Sequence, residues 1–432
     1  MSIDLRTSAA RHDEVLRRRL DLVLPLAMEA GDLDVWIVAG REYAEGAVLR
    51  SMLPATWLSA RRRTVLVFRR DRATGAVERL AVGRYDIEDL YPSAWDPQVQ
   101  PDQWSRVAEI VAQGDPRRIG LDTSAVLAHA DGLSASERDA LVAALPDDLT
   151  ARLVSAQTAA VTWLETRLPE EIETLRVACD QGHALLARAL SSEAITPGRT
   201  TTDDVVWWLR QQVHDAGLPS WFHPTVEVVR PARADDDQTE RREGFSARLP
   251  ETVIQSGDLV HIDFGLTLDG LCTDQQQHGY VLRPGETQAP VALVEGLAVG
   301  NRLQDLVLEQ FAVGRTGDEI LRGALAAARA EGIDAIIYSH PIGLQGHGAG
   351  PSIGLWDSQD RVAGSGALPV SPDTCWSIEL SAWVTAPGWP DDRVRIRLEE
   401  DAVFDGVALQ WLDGRQTELH LIGPSPTTAS PT

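Results

Sequence analysis

The 432-residue sequence predicts an α/β (α+β) protein built from two domains. Helix-like and strand-like hydrophobic patterns alternate through the first 145 residues, and the pattern changes near residue 160. The remainder combines long helical patterns with a series of strands. Hydrophobic residues make up 44% and charged residues 24% of the chain, which excludes a disordered, collagen-like or coiled-coil protein.

The first 160 residues are predicted to form a small α/β domain. They contain no cluster of histidine, cysteine or paired carboxylates, which favours a packing or interface role over a catalytic one. The pattern predicts helices over 9–30, 103–112 and 134–145, and strands over 34–38, 63–68, 79–82 and 118–121.

The second predicted domain covers residues 161–424. Pro169 followed by two glutamates begins a long helix that runs to about Leu190, and Thr201 or Thr202 caps the next helix. Residues 228–250 are dense in charge and without period, which predicts a long loop that serves as a solvated linker or as a lid. Two later helices are predicted over 289–310 and 316–331, and residues 425–432 are predicted to be a disordered tail.

Charge and composition exclude several classes of function. The net charge of −24 disfavours nucleic acid and anionic membranes as partners. The 40 basic residues include no lysine, so Schiff-base, pyridoxal-phosphate and Walker-loop chemistry are excluded. Three isolated cysteines and the lack of a signal-peptide pattern or an uninterrupted apolar span predict a cytoplasmic protein with no membrane partner.

A predicted hairpin brings two aspartates together. Strand-like segments flank Thr267–Gly270, which is a natural four-residue hairpin loop. Symmetric pairing about this loop places Asp263 directly opposite Asp274, with Cβ atoms roughly 5 Å apart. Such carboxylates repel each other unless a cation lies between them, and dinuclear hydrolytic sites hold two ions about 3.5–4 Å apart. In the alternative interpretation, one aspartate caps the turn and the other is a surface residue.

Three further segments supply chemistry-bearing side chains. His347 stands in a Gly-His-Gly-Ala-Gly run, where backbone and ligand can approach closely. Glu379 is predicted to point away from the apolar face of a strand over 376–380. Glu399 ends a strand whose polar face also carries Arg395 and Arg397. A half-buried glutamate needs a partner, which a metal or Arg397 can provide, and structural ion pairs remain the alternative.

The order of these residues resembles the pita-bread metallopeptidases. That order is Asp, Asp eleven residues later, His within Gly-His-Gly, Glu, and Glu about twenty residues further on. The family includes methionyl aminopeptidase, Xaa-Pro aminopeptidase and prolidase, with creatinase as a metal-free relative. The resemblance implies a creatinase-like N-terminal α/β domain over residues 10–160 and a pita-bread catalytic domain over residues 165–424.

The resemblance also implies a mechanism. It assigns two divalent metal ions to five ligands, with Asp274 and Glu399 bridging both ions. A hydroxide that bridges the metals would attack an N-terminal peptide bond while Glu379 shuttles the proton, and Arg397 matches an arginine two residues before the last ligand. Four oxygen donors and one imidazole favour Mn²⁺, with Co²⁺, Fe²⁺ or Zn²⁺ as alternatives. The five ligands implied are Asp263, Asp274, His347, Glu379 and Glu399, and the catalytic set is Glu379, His347 and Arg397.

The substrate pocket departs from the family pattern. Ser246 and Gly354 occupy the positions where family peptidases carry substrate-contacting histidines. His340, His223 and Trp356 are the candidates that could line the pocket instead.

The sequence thus predicts a dinuclear metal-dependent aminopeptidase or dipeptidase of the Xaa-Pro type. Its substrate would be a small peptide, and a homodimer is expected by analogy with proline-specific relatives, whose sites a partner's N-terminal domain closes. Two alternatives stay open at this point. One is a non-peptidase pita-bread enzyme, a metal-dependent lyase or C–N hydrolase that acts on a small molecule, and the other is an inactive binding module.

Overall fold

The computed structural model describes residues 4–231 and 251–423. Within these ranges the chain divides into two compact units, residues 4–171 with Gly348–Gly350, and residues 172–347 with 351–423. Most of the predicted loop, residues 232–250, and the predicted tail over 425–432 lie outside the described residues. The first two residues of the predicted loop, 228 and 229, instead complete a β-strand. No helix in the described ranges is long and apolar enough to cross a membrane.

The first unit is a five-stranded sheet with helices, as predicted. The strand order is β3-β2-β1-β4-β5, with β1 antiparallel to β2 and parallel to β4. In chain order the elements are α1 (Leu5–Ala30), β1 (Val35–Arg41), α2 (Ala47–Ser51), β2 (Arg63–Arg70), β3 (Val77–Ala81), α3 (Gln103–Ala112), β4 (Ile119–Leu121), α4 (Ala135–Ala144), α5 (Asp147–Thr150), β5 (Leu153–Ser155) and α6 (Gln157–Glu165).

Alternate residues of the central strand β1 pack on opposite faces of this sheet. Val35, Ile37 and Ala39 join a core cluster with residues of α3 and α4. Trp36 contacts the ring of Phe68, with centroids 6.0 Å apart, on the other face. This burial of both faces explains why β1 reads as a continuous apolar run in the sequence. Three of the elements that the sequence prediction omitted, α2, α5 and β5, have three to five residues, too few to show a hydrophobic period. The nine-residue helix α6 was omitted as well.

A buried carboxyl group in the first unit makes its stability depend on pH. Asp122 is 3% exposed and accepts a hydrogen bond from Trp36 Nε1 at 2.7 Å. Burial raises the pKa of Asp122 from 3.8 to about 7. Because the folded-state pKa is raised, the contribution of Asp122 to stability is greatest below pH 3.8 and declines as the pH rises to about 7. We therefore expect Asp122→Asn to raise Tm at pH 8, by the equivalent of about 2–4 kcal/mol, and to raise it less at pH 5.

Thermal unfolding of the two proteins at pH 5 and pH 8 checks this expectation. Asp139→Asn is the matched control, because the Asp139 side chain is 75% exposed on α4 and should give the same small effect at both pH values. An Asp122→Asn variant that is destabilised equally at both pH values would contradict the assignment.

The second unit contains long helices and several small sheets. Strand orders are β18-β10-β7-β6, β11-β14-β15, β12-β13-β16-β17 and the hairpin β8-β9. The elements are α7 (Pro169–Ala189), α8 (Thr202–Asp215), β6 (Thr225–Val229), β7 (Leu259–Phe264), β8 (Thr267–Leu268), β9 (Leu271–Cys272), β10 (Gln275–Val281), α9 (Val291–Leu308), α10 (Gly317–Ala330), β11 (Asp334–Ile337), β12 (His340–Pro341), β13 (Thr374–Ser377), β14 (Leu380–Thr385), β15 (Arg393–Leu398), β16 (Asp401–Phe404), β17 (Leu409–Trp411) and β18 (His420–Ile422).

The four predicted helices of this unit are confirmed within two residues of their expected bounds. Thr201, rather than Thr202, caps α8, and it forms a reciprocal capping box with Asp204. Helix α9 packs closely on the sheet that contains β15, because two glycines face that sheet. A Cβ atom at Gly296 would lie 2.8 Å from Val384 Cγ2, and one at Gly300 would lie 2.8 Å from Leu398 Cδ1. This close packing holds β15, the strand that Glu399 follows.

Candidate metal centre

The hairpin formed by β7 and β10 carries both predicted aspartates, but its register differs from the prediction by two residues. Asp263 lies opposite Gln276, not Asp274. The turn consists of Asp269 and Gly270, with φ angles of 48° and 83°. Two residues with positive φ form a tight two-residue turn in place of the predicted four-residue loop. Because side chains alternate along a strand with a period of two, this shift leaves Asp274 on the same face as Asp263.

The structure brings together all five predicted ligands. Their donor atoms, with those of His340, form three overlapping groups in which every pair of donor atoms lies within 4.8 Å. Asp274, Glu399 and His340 each belong to two groups, and of these only the carboxylates, which have two oxygens, are suited to being shared between two ions. The groups are Asp263 with Asp274 and Glu399, Asp274 with His340 and His347, and His340 with Glu379 and Glu399.

Glu379 occupies a break between two strands, not the continuous strand predicted over 376–380. Strand β13 ends at Ser377 in one sheet, and β14 begins at Leu380 in another. This correction has a structural reason, since the chain must leave one sheet and enter the next at Glu379. The position lets its side chain reach the centre, where its Oε1 accepts a hydrogen bond from Gln276 Nε2 at 2.5 Å.

Glu399 follows β15 and is anchored from two sides. Its backbone carbonyl accepts a hydrogen bond from the N–H of Gln276 at 2.9 Å, which joins β10 to the end of β15. The hydroxyl of Ser377 donates to its Oε1. The predicted alternation along β15 is confirmed, with Val394, Ile396 and Leu398 buried. Glu399 itself is 1% exposed, so its carboxylate requires polar partners.

Asp274 is held by a residue that the sequence analysis missed. The N–H of Asp274 donates to Asp401 Oδ2 at 3.1 Å, and the thiol of Cys179 donates to the same oxygen at 3.5 Å. Asp274 Oδ1 is buried and has no hydrogen-bond partner within the described chain. A buried acceptor without a donor, aimed at other carboxylates, fits a cation ligand. Asp401 could not be singled out from sequence, because it lies among several acids at 399–401.

His340 offers a nitrogen lone pair to the same centre. Its Nδ1 lies 3.0 Å from the carbonyl oxygen of Pro341, so Nδ1 must carry the proton that it donates. In the neutral ring Nε2 is then an acceptor. Nε2 lies 3.4 Å from Glu399 Oε1 and 3.9 Å from Asp274 Oδ2, and no described residue donates to it. An imidazole whose other nitrogen bonds a backbone carbonyl is the usual form of a metal ligand.

His347 lies at the exposed side of the centre against an aromatic wall. Its ring packs edge-on to Trp221, with centroids 5.5 Å apart, and to His340 at 4.8 Å. A Cβ atom at Gly346 would lie 2.3 Å from the Trp221 ring, which explains the glycine before His347. Trp221 was not predicted, although it stands two residues before the predicted His223. Its indole N–H donates to the carbonyl of Thr273 at 2.8 Å.

The other two pocket candidates belong to none of the three ligand groups. His223 is exposed and contacts Arg210 at 3.2 Å and the ring of Trp207 on α8. Trp356 is 44% exposed in the turn that follows Gly354. Ser246 lies outside the described residues. The pocket role of His223 and Trp356 stays a prediction.

Arg397 pairs with a carboxylate at the edge of the centre. Its guanidinium donates to Glu227 on β6 at 2.5 Å, and its backbone N–H donates to His278 Nε2 at 3.0 Å. Arg397 therefore does not form an ion pair with Glu379 or Glu399 among the contacts that the structure describes. Its positive charge lowers the pKa of Asp263, an effect smaller than the burial that raises it.

The electrostatics of the centre favour bound cations. Burial, followed by the Glu399 carboxylate, raises the pKa of Asp263, Asp274 and Glu379 well above their ordinary values. Ionised together without positive charge, these carboxylates would repel each other strongly. Four carboxylates and two imidazoles are a donor set that suits divalent transition metals, so the residues present fit the cofactor implied by the resemblance.

Comparison with solved structures supports the fold. The chain is similar to X-Pro aminopeptidase from Thermotoga maritima MSB8, with a TM-score of 0.62, 16% identity, and coverage of 94% of this chain and 99% of that one. It is also similar to Xaa-Pro dipeptidase from Bacillus anthracis (TM-score 0.58, 19% identity, coverage 96% and 99%). Dipeptidase PepE from Mycobacterium ulcerans matches with a TM-score of 0.60, 20% identity and coverage of 98% and 100%. These matches confirm the predicted pita-bread fold.

Sequence comparison places the chain in a family. A comparison with curated proteins finds none that matches this sequence. The model of metallopeptidase family M24 matches residues 173–405, a segment that includes all five predicted ligands and His340. Because that match spans more than half of its length, this chain belongs to metallopeptidase family M24.

Proposed function

We propose that this chain is a dinuclear metal-dependent aminopeptidase or dipeptidase that acts on Xaa-Pro-type peptides. The observation that carries the proposal is the overlap of the three donor groups at Asp274 and Glu399. Two carboxylates, each shared by two groups, can bridge two ions, whereas a single-ion site needs no shared ligands. The proline-directed substrate rests on the similarity to an X-Pro aminopeptidase and an Xaa-Pro dipeptidase.

The side chains of the centre then have distinct tasks. Asp263 and Glu379 would each hold one of the two cations, Asp274 and Glu399 would hold both, and His347 and His340 would complete the ligand sphere. Two divalent cations, when bound, lower the pKa of a shared water and polarise the scissile carbonyl. Mn²⁺ is the proposed metal, because carboxylate oxygens predominate among the donors.

Glu379 is the group proposed to move the proton. Its Oε1 is engaged by Gln276, which leaves Oε2 to accept a proton from the attacking water and pass it to the leaving amine nitrogen. Trp221 and His347 would form an exposed wall beside the scissile bond. Arg397, paired with Glu227, would contribute positive charge at the edge of the site and make no direct contact with the reacting atoms.

One observation favours a second candidate, a non-peptidase enzyme that uses the same metals on a small molecule. Gly354 stands where the resemblance leads one to expect a substrate-contacting histidine, and its φ is +76°. A Cβ atom there would lie 2.1 Å from the carbonyl oxygen of Ile337, so this backbone cannot accommodate any side chain at Gly354. The peptide contact made by that histidine in relatives has no counterpart at this position.

Metal reconstitution with a substrate panel separates the two candidates. The metal-free protein would receive Mn²⁺, Co²⁺ or Zn²⁺ and be assayed against Xaa-Pro and non-proline di- and tripeptides. We expect metal-dependent release of the N-terminal residue, with the highest kcat/KM on Xaa-Pro substrates. Two bound metals per chain without cleavage of any peptide would favour the small-molecule enzyme, and failure to bind metal would contradict both. The proposed homodimer can be checked on the same preparation by sedimentation.

A further inference from the structure

A buried glutamine contacts two of the proposed metal ligands at once. Gln276 on β10 is 3% exposed. Its Nε2 donates to Glu379 Oε1 at 2.5 Å and to Glu399 Oε2 at 2.7 Å. Both protons of one amide group are thus used on two carboxylates that come from different segments of the chain. Gln276 itself is neither one of the proposed metal ligands nor the group proposed to move the proton.

The orientation of the amide is set by a histidine on the neighbouring strand. Gln276 Oε1 lies 2.9 Å from His261 Nε2 on β7. An amide oxygen can only accept, so His261 must donate from Nε2. If the amide were flipped, its oxygen would face the two carboxylates and both hydrogen bonds to them would be lost. The three contacts are therefore consistent with one amide orientation only.

Hydrogen bonds of this kind orient ligands without occupying the positions that a metal needs. Each carboxylate oxygen can accept more than one contact, and Gln276 uses one oxygen of each glutamate. The contact to Glu379 is to Oε1 only, so lone pairs of this carboxylate remain available both to a cation and to the proposed proton transfer. In other metal sites, residues that hydrogen-bond to the ligands fix the orientation of those ligands and tune the affinity for the metal.

We propose that Gln276 is a positioning residue that holds Glu379 and Glu399 in their metal-binding orientation, and that His261 fixes the Gln276 amide. This inference rests on the proposed function, because it takes both glutamates as metal ligands. It predicts that loss of the Gln276 side chain weakens metal binding specifically, beyond any loss of stability in the metal-free protein.

The adjacent residue provides a matched control. Gln277 is 5% exposed on the same strand, and its side chain also bridges a glutamate and a histidine. Its Nε2 donates to Glu400 Oε1 at 2.9 Å, and its Oε1 accepts from His420 Nε2 at 2.8 Å. Glu400 belongs to none of the three donor groups found in the described residues. The two glutamines are similarly buried, and the side chain of Gln276 makes three hydrogen bonds where that of Gln277 makes two, but only Gln276 contacts the candidate centre.

The experiment compares Gln276→Met with Gln277→Met. Methionine keeps the length of the side chain and removes its hydrogen bonds. The dissociation constant for Mn²⁺ would be measured by chelator competition on the metal-free full-length proteins, and their thermal unfolding would be recorded in EDTA. We expect Gln276→Met to weaken Mn²⁺ binding by about 10–100-fold, while Gln277→Met stays within about threefold of the wild type. The two variants should lose similar stability in EDTA.

A further variant tests the inference even if Gln276→Met does not fold. His261→Phe leaves both glutamates and Gln276 in place but removes the donor that orients the amide, so it should weaken Mn²⁺ binding by about tenfold or less. Unchanged Mn²⁺ affinity in folded Gln276→Met, or an equal loss in Gln277→Met, would overturn the inference while leaving the proposed function intact. A wild-type protein that binds no divalent cation would overturn both.

Discussion

Asp274→Asn is expected to abolish metal-dependent activity, with a loss in kcat/KM of about a thousandfold or more, equivalent to about 4 kcal/mol of transition-state stabilisation. Asp274 takes part in two of the three donor groups, so its neutralisation weakens both cation positions at once. Asparagine preserves the size of the side chain and one oxygen, but it removes the charge that holds a shared cation. Metal analysis should find fewer than two ions per chain. Glu399→Gln should behave in the same way.

The same variant should be at least as stable as the wild type when metal is absent. Asp274 is 4% exposed, and its carboxylate faces other carboxylates, so removing its charge relieves repulsion. Asp269→Asn is the matched control in the turn of the same hairpin, where asparagine readily adopts the positive φ of 48°. It should retain full activity and both metals. Full activity of Asp274→Asn, or a full complement of two ions, would contradict the dinuclear mechanism.

Metal binding is expected to remove a pH dependence of stability that the metal-free centre causes. In the metal-free protein, burial and then neighbouring carboxylates raise the pKa of Asp263, Asp274 and Glu379 above their ordinary values of 3.8 and 4.5. A raised folded-state pKa means that the favourable contribution is complete below those ordinary values and is lost as the pH rises toward the folded-state values. The Tm in EDTA should therefore fall between pH 5 and pH 8.

Bound Mn²⁺ should remove the part of this decline that the carboxylates of the centre cause, because the cations compensate their charge, and should leave the part that Asp122 causes. Free Mn²⁺ at 100 times its dissociation constant should add about 2.7 kcal/mol per site. Calorimetry from pH 5 to pH 8, with EDTA or with Mn²⁺, measures both effects. Asp274→Asn in EDTA should show a shallower decline than the wild type. Parallel pH profiles with and without Mn²⁺ would show that these carboxylates do not form the metal site.

Local signals in the sequence were sufficient for most of the secondary structure. Helix α8 is bounded by a threonine and an acidic first turn, and α10 repeats that arrangement from Thr316, so both could be located by their caps. Strand β15 shows strict alternation, because one of its faces is buried and the other carries arginines. Such features depend on neighbours within a few residues, which is why they can be recognised without a structure.

The hairpin register could not be predicted from local signals alone. Symmetric pairing about a four-residue loop was a reasonable expectation, but Asp269 and Gly270 adopt a two-residue turn, and this choice moves Asp263 opposite Gln276. The two aspartates still lie on one face, because a shift of two residues preserves the face of the strand. A shift of one residue would have separated the two aspartates.

The five candidate ligands and their order, and hence the resemblance to a metallopeptidase family, could be predicted from the sequence alone. Only the tertiary structure decided what surrounds them. His340 joins the donors because β12 pairs with β13 beside Glu399, and Trp221 reaches His347 across a long separation in the chain. Gln276 and Gln277 are neighbours of the same type, yet the pleat directs one to the metal centre and the other to Glu400. Contacts between distant segments depend on strand pairing and on the direction of each side chain, which residue spacing does not encode.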